Sequence, residues 1–223
     1  MKLYTFPASP GCRPIAMFIA DHGLDVEQQT IDLTKGEQYQ PAFTAINPNN
    51  AVPVLEDGDL RLPECSAILK YLADKTASPT YPKDLKARAR VNAAMDWINT
   101  ALYPAFGHNL CYPQVLAPFK MEDPSHQAAL LSKGQTRSRK LLGVMNDTML
   151  GSHPYLCGDA LTIADYQAAA VLSLGELTGC DFSPWPNVKR WYERMTAMPH
   201  WQSVNAPLYA WAEHTKAPDH VRV

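Results

Sequence analysis

Apolar positions along the chain follow two different periods, and the change from one to the other falls between Leu72 and Asp84. Lys2-Leu3-Tyr4-Thr5-Phe6 reads as a short strand by composition, and Val26 to Leu33 alternates enough to give a second. Between them Pro7-Ala8-Ser9-Pro10-Gly11 is a loop, and Arg13 to Ala20 is a helical run that Gly23 ends as a C′ residue. Gly36 to Ile46, with Tyr39, Phe43 and Ile46 apolar, predicts a short irregular helix or loop. Val52-Pro53-Val54-Leu55 and Leu60-Arg61-Leu62 flank Asp57-Gly58, which predicts a hairpin with a type I′ turn. Ile68, Leu69 and Leu72 then recur at helical spacing, so a helix opens at Pro63-Glu64-Cys65-Ser66. This first part is an α/β unit with parallel and antiparallel strands in one sheet.

Thr76 to Lys83, with two prolines and small polar residues, is a linker, and beyond it only the helical period remains. Leu85, Val91, Ala94, Met95, Ile98 and Leu102 mark the inner side of a helix from Asp84 to Leu110, which three prolines between Cys111 and Pro124 interrupt. Pro124 to Leu150 predicts a second long helix with Ala128, Leu131, Leu141, Leu142, Val144 and Met145 inward. Thr162-Ile163-Ala164-Asp165 is a capping box opening an alanine-rich helix that must be almost wholly buried.

Two details of the α/β part point to a site. Pro53 cannot donate to a ladder, so it belongs at the first residue of its strand, where an X-Pro bond is a candidate for the cis form. That form would turn the Val52 N–H and C=O outward, free to pair with an extended peptide. Beside it, the free N–H groups in the first turn of the helix at Glu64 to Ser66 suit a carboxylate.

Composition narrows the classes. The 223 residues are 46% hydrophobic and 19% charged, an ordinary globular balance. A net charge of −2 and a pI near 6.4 supply no basic field for nucleic acid or anionic lipid. The first residues, broken by two prolines, do not form a signal peptide, and no 18-residue apolar run predicts a membrane span. Cys12, Cys65, Cys111, Cys157 and Cys180 are an odd, scattered set without metal-ligand spacing, which favours reduced thiols in a cytosol and no metal site.

Five motifs in order, Ser9-Pro10-Gly11-Cys12-Arg13, Val52-Pro53 with its hairpin, Glu64-Cys65-x-Ala67-Ile68-x-x-Tyr71-Leu72, Gly158-Asp159-x-Leu161-Thr162-x-Ala164-Asp165 and Pro186-Asn187-Val188-x-x-Trp191, span nearly the whole chain. Together they resemble the cytosolic glutathione transferases, specifically the theta/delta-like members that use a serine. The resemblance implies a thioredoxin-like glutathione-binding domain over residues 1–76 and an all-helical domain carrying a hydrophobic-substrate site over residues 83–223. It implies attack of glutathione thiolate on hydrophobic electrophiles, glutathione being a co-substrate, by a cytoplasmic homodimer that binds neither nucleic acid nor membrane. Glutathione-dependent dehalogenation, and a non-catalytic binding module of the same fold, stay open as alternatives.

Carried over by residue, the resemblance makes Ser9 the hydroxyl that donates to the glutathione sulfur. Val52 and Pro53 face the cysteinyl part through backbone, and Glu64 meets the γ-glutamyl amine. Cys65 stands where the family usually has a serine, so the N–H groups of Cys65 and Ser66 must hold the γ-glutamyl carboxylate. Gln38 and Asn50 occupy the place of the family's basic contacts to the glycyl carboxylate, with Lys35 the nearest cation. Two rivals to Ser9 remain: Cys12 as a working thiol, and Tyr4 as the hydroxyl. Tyr103, Phe106, His108 and Tyr112 crowd near the inter-helix loop and are candidates for the second-substrate pocket, whose apolar tone suits hydrophobic electrophiles.

Overall fold

The computed structural model describes residues 1–223. Strands β1 (Lys2–Thr5), β2 (Glu27–Thr30), β3 (Val54–Asp57) and β4 (Leu60–Pro63) form one sheet in the order β2-β1-β3-β4. β1 is parallel to β2 and antiparallel to β3, which pairs antiparallel with β4. Leu3 and Leu55 face each other across β1 and β3 and are both fully buried in the main core. Tyr4 and Val54, one residue on, point to the other face, where Ile31 and Phe43 cover them.

Three local expectations are corrected. β2 stops at Thr30 and is exposed throughout; its edge position needs no apolar face, and Ile31 leaves the strand as Asp32 accepts from the Thr34 N–H to cap a 3₁₀ turn. The hairpin turn consists of Gly58 and Asp59, since Asp57 pairs with Leu60, and of the two only Gly58 has positive φ, at 62°. That is the type II′ pattern, glycine first, in place of type I′. Tyr39 lies in the turn Glu37–Tyr39 with its side chain 70% exposed. The run from Gly36 to Ile46 is otherwise as irregular as its sequence, ending in the short helix α2 (Pro41–Thr44).

Helices α1 (Arg13–Asp21) and α3 (Cys65–Lys75) cover the sheet, α3 through Ile68, Leu69 and Leu72, which are all fully buried. The remainder is helical: α4 (Leu85–Trp97), α5 (Tyr112–Val115), α6 (Pro124–Val144), α7 (Ile163–Leu172), α8 (Pro186–Thr196) and α9 (Trp201–Thr215). α4 runs on through π-helical segments Ile98–Leu102 and Pro104–Cys111 into α5, so the rod ends at Val115 and outlasts Pro104 and Pro113. Leu85, expected inward, is 81% exposed, because it stands in the first turn behind the Asp84 cap.

The first three turns of α6 lie at the surface, which exposes Ala128; Val144, at its end, faces outward too, and the inward stripe is Gly134, Ser138, Leu141 and Leu142, continued by Met145. Gly134 is the closest point of this packing: a Cβ there would stand 2.4 Å from the Asn109 carbonyl oxygen. Gly134→Ala is expected to force the two rods apart and lower stability by about 1–3 kcal/mol, read from chemical denaturation.

All ten residues of α7 are buried, as the alanine-rich sequence requires. α1 packs against α7 and α9, and at this seam lies Arg13, 1% exposed. Its guanidinium donates to Ser173 Oγ at 2.6 Å, to Asn205 Oδ1 and to the Ala170 carbonyl at 3.1 Å. Burial brings its pKa down to about 10, which still leaves it cationic at neutral pH.

Candidate active site

The loop between β1 and α1 folds as a tight turn because the Ser9 carbonyl accepts from the N–H groups of both Cys12 and Arg13. The Ser9 side chain is half-buried, and its oxygen accepts from the Gly11 N–H at 3.2 Å. Ser9 is not the cap of α1. Cys12 holds that position, with no side-chain cap bond.

Cys12 is a packing residue. It is 1% exposed, its sulfur accepts from the Phe6 N–H at 3.4 Å, and burial pushes its thiol pKa up. Tyr4 is also engaged: its hydroxyl donates to Glu56 Oε2 at 2.8 Å, on the sheet face away from α1. Of the three candidate groups only Ser9, half-buried in its loop, is open to the cleft.

Across from Ser9 stands the Val52–Pro53 bond, which is cis. Neither the N–H nor the C=O of Val52 has a hydrogen-bond partner in the protein, since the β3 ladder starts only at Val54. Ser9 Oγ, the Val52 carbonyl oxygen and Pro53 Cδ all lie within 4.0 Å of the point where a Cβ on Gly11 would stand. The lack of a side chain at Gly11 keeps this corner open.

Glu64 precedes α3 with φ of +74°, a conformation that costs a non-glycine residue about 1–3 kcal/mol. It leaves the carboxylate exposed at the mouth of the cleft and the first N–H groups of α3 pointing beside it. Cys65 is half-buried, and burial together with the nearby Cys12 and Glu64 pushes its thiol upward, so it presents backbone rather than thiolate. Ser66 accepts a long bond from Asn99 Nδ2, at 3.5 Å, and Asn99 Oδ1 accepts in turn from Gln167 at 2.5 Å. Helical spacing alone gave no sign of this polar chain from α3 across to α7; a glutamine in the buried, alanine-rich α7 is its trace in the sequence.

Asn50 has φ of +53°, and its side chain accepts from Thr44 at 2.8 Å, tying it to α2. Gln38 Oε1 is shielded from solvent without a hydrogen-bond partner. Lys35 pairs with Asp32 at 3.0 Å, and the Thr34 hydroxyl together with Lys35 holds that carboxyl down at about 2.

Tyr103, His108 and Tyr112 meet where the π-helical rod turns into α5. The Tyr103 and Tyr112 hydroxyls are 3.1 Å apart, and the His108 ring lies 4.5 Å from that of Tyr103. Phe119, missed in the sequence, joins them at 5.0 Å from Tyr112 and is 38% exposed; its place in the proline-broken connection was the available hint. Tyr103 shares its surroundings with Arg13, Cys12 and Cys65, so this aromatic wall adjoins the Ser9 cleft. Burial holds His108 below its usual pKa, leaving it neutral. Phe106 is a correction. It is fully buried against Phe182 and packs close to Gly175, because the wide π turns rotate it away from Tyr103 and into the core.

No group of three or more His, Cys, Asp or Glu side chains converges as a metal would need, and no helix is long and apolar enough to cross a membrane.

A thioredoxin-like half with an open backbone edge at a cis-proline, joined to a helical half that walls the same cleft, defines the glutathione transferase class of fold. Family models agree: "Glutathione S-transferase, N-terminal domain" matches residues 1–74, and "Glutathione S-transferase, C-terminal domain" matches residues 109–199. The chain is 32% identical over 200 residues, 88% of its length, to glutathione S-transferase theta-3 of Mus musculus, of which it covers 82%. Human glutathione transferase theta-2, solved in complex with glutathione and an unknown ligand, superposes with a TM-score of 0.86 at 30% identity, covering 98% of this chain and 94% of that one. A human theta-class enzyme carrying the glutathione conjugate of 1-menaphthyl sulfate gives the same TM-score and identity, over 98% and 93%. The chain belongs to the glutathione S-transferase family.

Proposed function

We propose that this protein is a glutathione transferase in which Ser9 stabilises the thiolate of bound glutathione for attack on a hydrophobic electrophile. The observation that carries the reading is the corner formed by the free Ser9 hydroxyl and the unpaired backbone of Val52. A free thiol is only a few per cent ionised at neutral pH, and the thiolate is the nucleophile. A hydroxyl donating to that sulfur favours the charged form, with about 0.3–1 kcal/mol more from a helix N-terminus such as that of α1. Ser9 need not remove a proton or form a covalent bond.

In this reading residues 1–76 hold glutathione and residues 83–223 carry the electrophile site. The peptide lies antiparallel to Val52 and Pro53, its γ-glutamyl end at Glu64, Cys65 and Ser66. Its glycyl end falls toward Gln38 and Asn50, whose amide N–H groups would make the contact without a cation. The electrophile rests on Tyr103, Tyr112, Phe119 and the neutral ring of His108. A leaving group displaced from an apolar carbon suits this wall, and the conjugate held by the human theta-class structure is of that kind. A homodimer in a cytoplasmic setting completes the reading; five free cysteines support the reducing compartment.

The test incubates the protein with glutathione and an aryl or benzylic electrophile and follows thioether formation by mass spectrometry. Conjugate formed well above the rate without protein is expected; tight glutathione binding without conjugate would make the protein a carrier and overturn the assignment. Glu64→Gln is expected to raise the KM for glutathione by about tenfold and leave kcat nearly unchanged, since a contact to the substrate amine is lost equally in ground and transition states. Steady-state kinetics at saturating electrophile measures it.

A further inference from the structure

A pair of sulfurs lies within the helical half, behind the aromatic wall. Cys111 ends the π-helical segment and is fully buried, while Cys180 sits in the loop after the 3₁₀ turn Ser173–Leu177, partly open to solvent. The Thr178 hydroxyl, itself fully buried, stands between them, 3.9 Å from Cys111 Sγ and 3.4 Å from Cys180 Sγ. The two sulfurs are close enough that each bears on the ionisation of the other.

The backbone around Cys180 is held closely. Its N–H donates to the Gly175 carbonyl at 2.9 Å, Gly179 before it has φ of +73°, and a Cβ on Gly175 would stand 3.0 Å from Cys180 Cβ. The C-terminal residues close over the pair. Arg222 donates to the Thr178 carbonyl at 2.8 Å, and its charge bears on Cys180. The two thiols are unequal as a result. Cys111 beside it, with Thr178 and the Arg222 charge, brings Cys180 below the usual thiol range, whereas burial drives Cys111 up. A thiolate within reach of solvent, backed by a protonated partner, is the arrangement of an attacking and a resolving cysteine.

We propose that Cys111 and Cys180 form a peroxide-sensitive dithiol that closes to an intramolecular disulfide across Thr178. Cys180 thiolate attacks one peroxide oxygen; the O–O bond breaks, and the departing oxygen takes a proton to leave as water or alcohol. The Cys111 sulfur then attacks the sulfenic sulfur of Cys180, the S–O bond breaks, and the expelled hydroxide leaves as water with the Cys111 proton. Each sulfur loses one electron and the peroxide gains two. The crosslink ties the end of the α4 rod to the 178–180 loop. Cys111 precedes Tyr112, so the bond is made one residue from the aromatic wall.

The test treats the full chain with a small excess of hydrogen peroxide at neutral pH, then counts thiols after denaturation and maps non-reduced peptides. Thiols should fall from the five of the untreated protein to three, with a peptide linking Cys111 to Cys180, and dithiothreitol should restore all five. Retention of all five, a link between any other cysteines, or a stable sulfenic acid trapped by dimedone at Cys180 of the unaltered protein overturns the proposal. Cys111→Ala should abolish the link and leave a dimedone adduct on Cys180; an adduct on another cysteine instead overturns the assignment of the attacking sulfur. Cys180→Ser should slow peroxide-driven thiol loss by about tenfold at pH 7, because the thiols that remain are mostly protonated there.

Discussion

Ser9→Ala is expected to lower kcat/KM for conjugation by about 10- to 150-fold, the rate equivalent of losing one hydrogen bond to a charged acceptor, about 1.5–3 kcal/mol. The same loss should move the ionisation of bound glutathione upward by about one to two pH units, followed by the thiolate absorbance on titration. Glutathione binding should change little when measured below that ionisation, because the backbone of Val52 and the first turn of α3 still hold the peptide. The fold gives up only the bond from the Gly11 N–H, worth about 1 kcal/mol. Cys12→Ser is the informative partner. With its sulfur 1% exposed and turned to the Phe6 N–H, Cys12 does not reach the cleft, so this variant should stay near the parent rate. Activity that survived Ser9→Ala and vanished in Cys12→Ser would reverse the assignment.

The corner that this prediction depends on was readable in the sequence because its parts are local. A proline at the start of β3, a glycine after Ser9 and a helix opening behind Pro63 each constrain the backbone within a few residues. What the sequence hid was set by partners far along the chain. Arg13 reads as the first residue of an amphipathic helix, yet its three acceptors come from Ala170, Ser173 and Asn205, more than 150 positions away. Phe106 and Tyr103 look equivalent by helical spacing until the π turns separate them. Ala128 and Val144 fit a 3.6-residue stripe that the bundle does not use, because close approach at Gly134 decides which face of α6 turns in. Lys35 was named as the nearest cation by sequence distance, but Asp32 captures it three residues away.

Asp165→Ala should produce the largest loss of stability of any substitution considered, at least about 3 kcal/mol, because it strands several buried donors at once. The carboxylate is fully buried at the start of α7. One oxygen accepts from the Leu156 N–H and the Trp191 indole N–H, both at 2.9 Å; the other accepts from the Thr162 N–H and hydroxyl, also at 2.9 Å. It therefore joins three segments, the 156–162 loop, α7 and α8, around a helix with no exposed face. Burial lifts its pKa and the four donors oppose that lift. An acid proton would have to displace one of them, so the pocket fits the ionised form. Asp165→Asn keeps the shape but turns an NH₂ toward two donors, and should cost nearly as much as Asp165→Ala. Thr162→Ala removes only the hydroxyl bond and should cost about 1 kcal/mol. Differential scanning calorimetry decides between the two scales: at about 2–4 °C per kcal/mol for a chain of this size, Asp165→Ala should lower Tm by about 6 °C or more, and Thr162→Ala by about half that at most. Equal, small shifts for both would reduce Asp165 to an ordinary helix cap, and the bond to Trp191 would then contribute nothing measurable to holding α8 against α7.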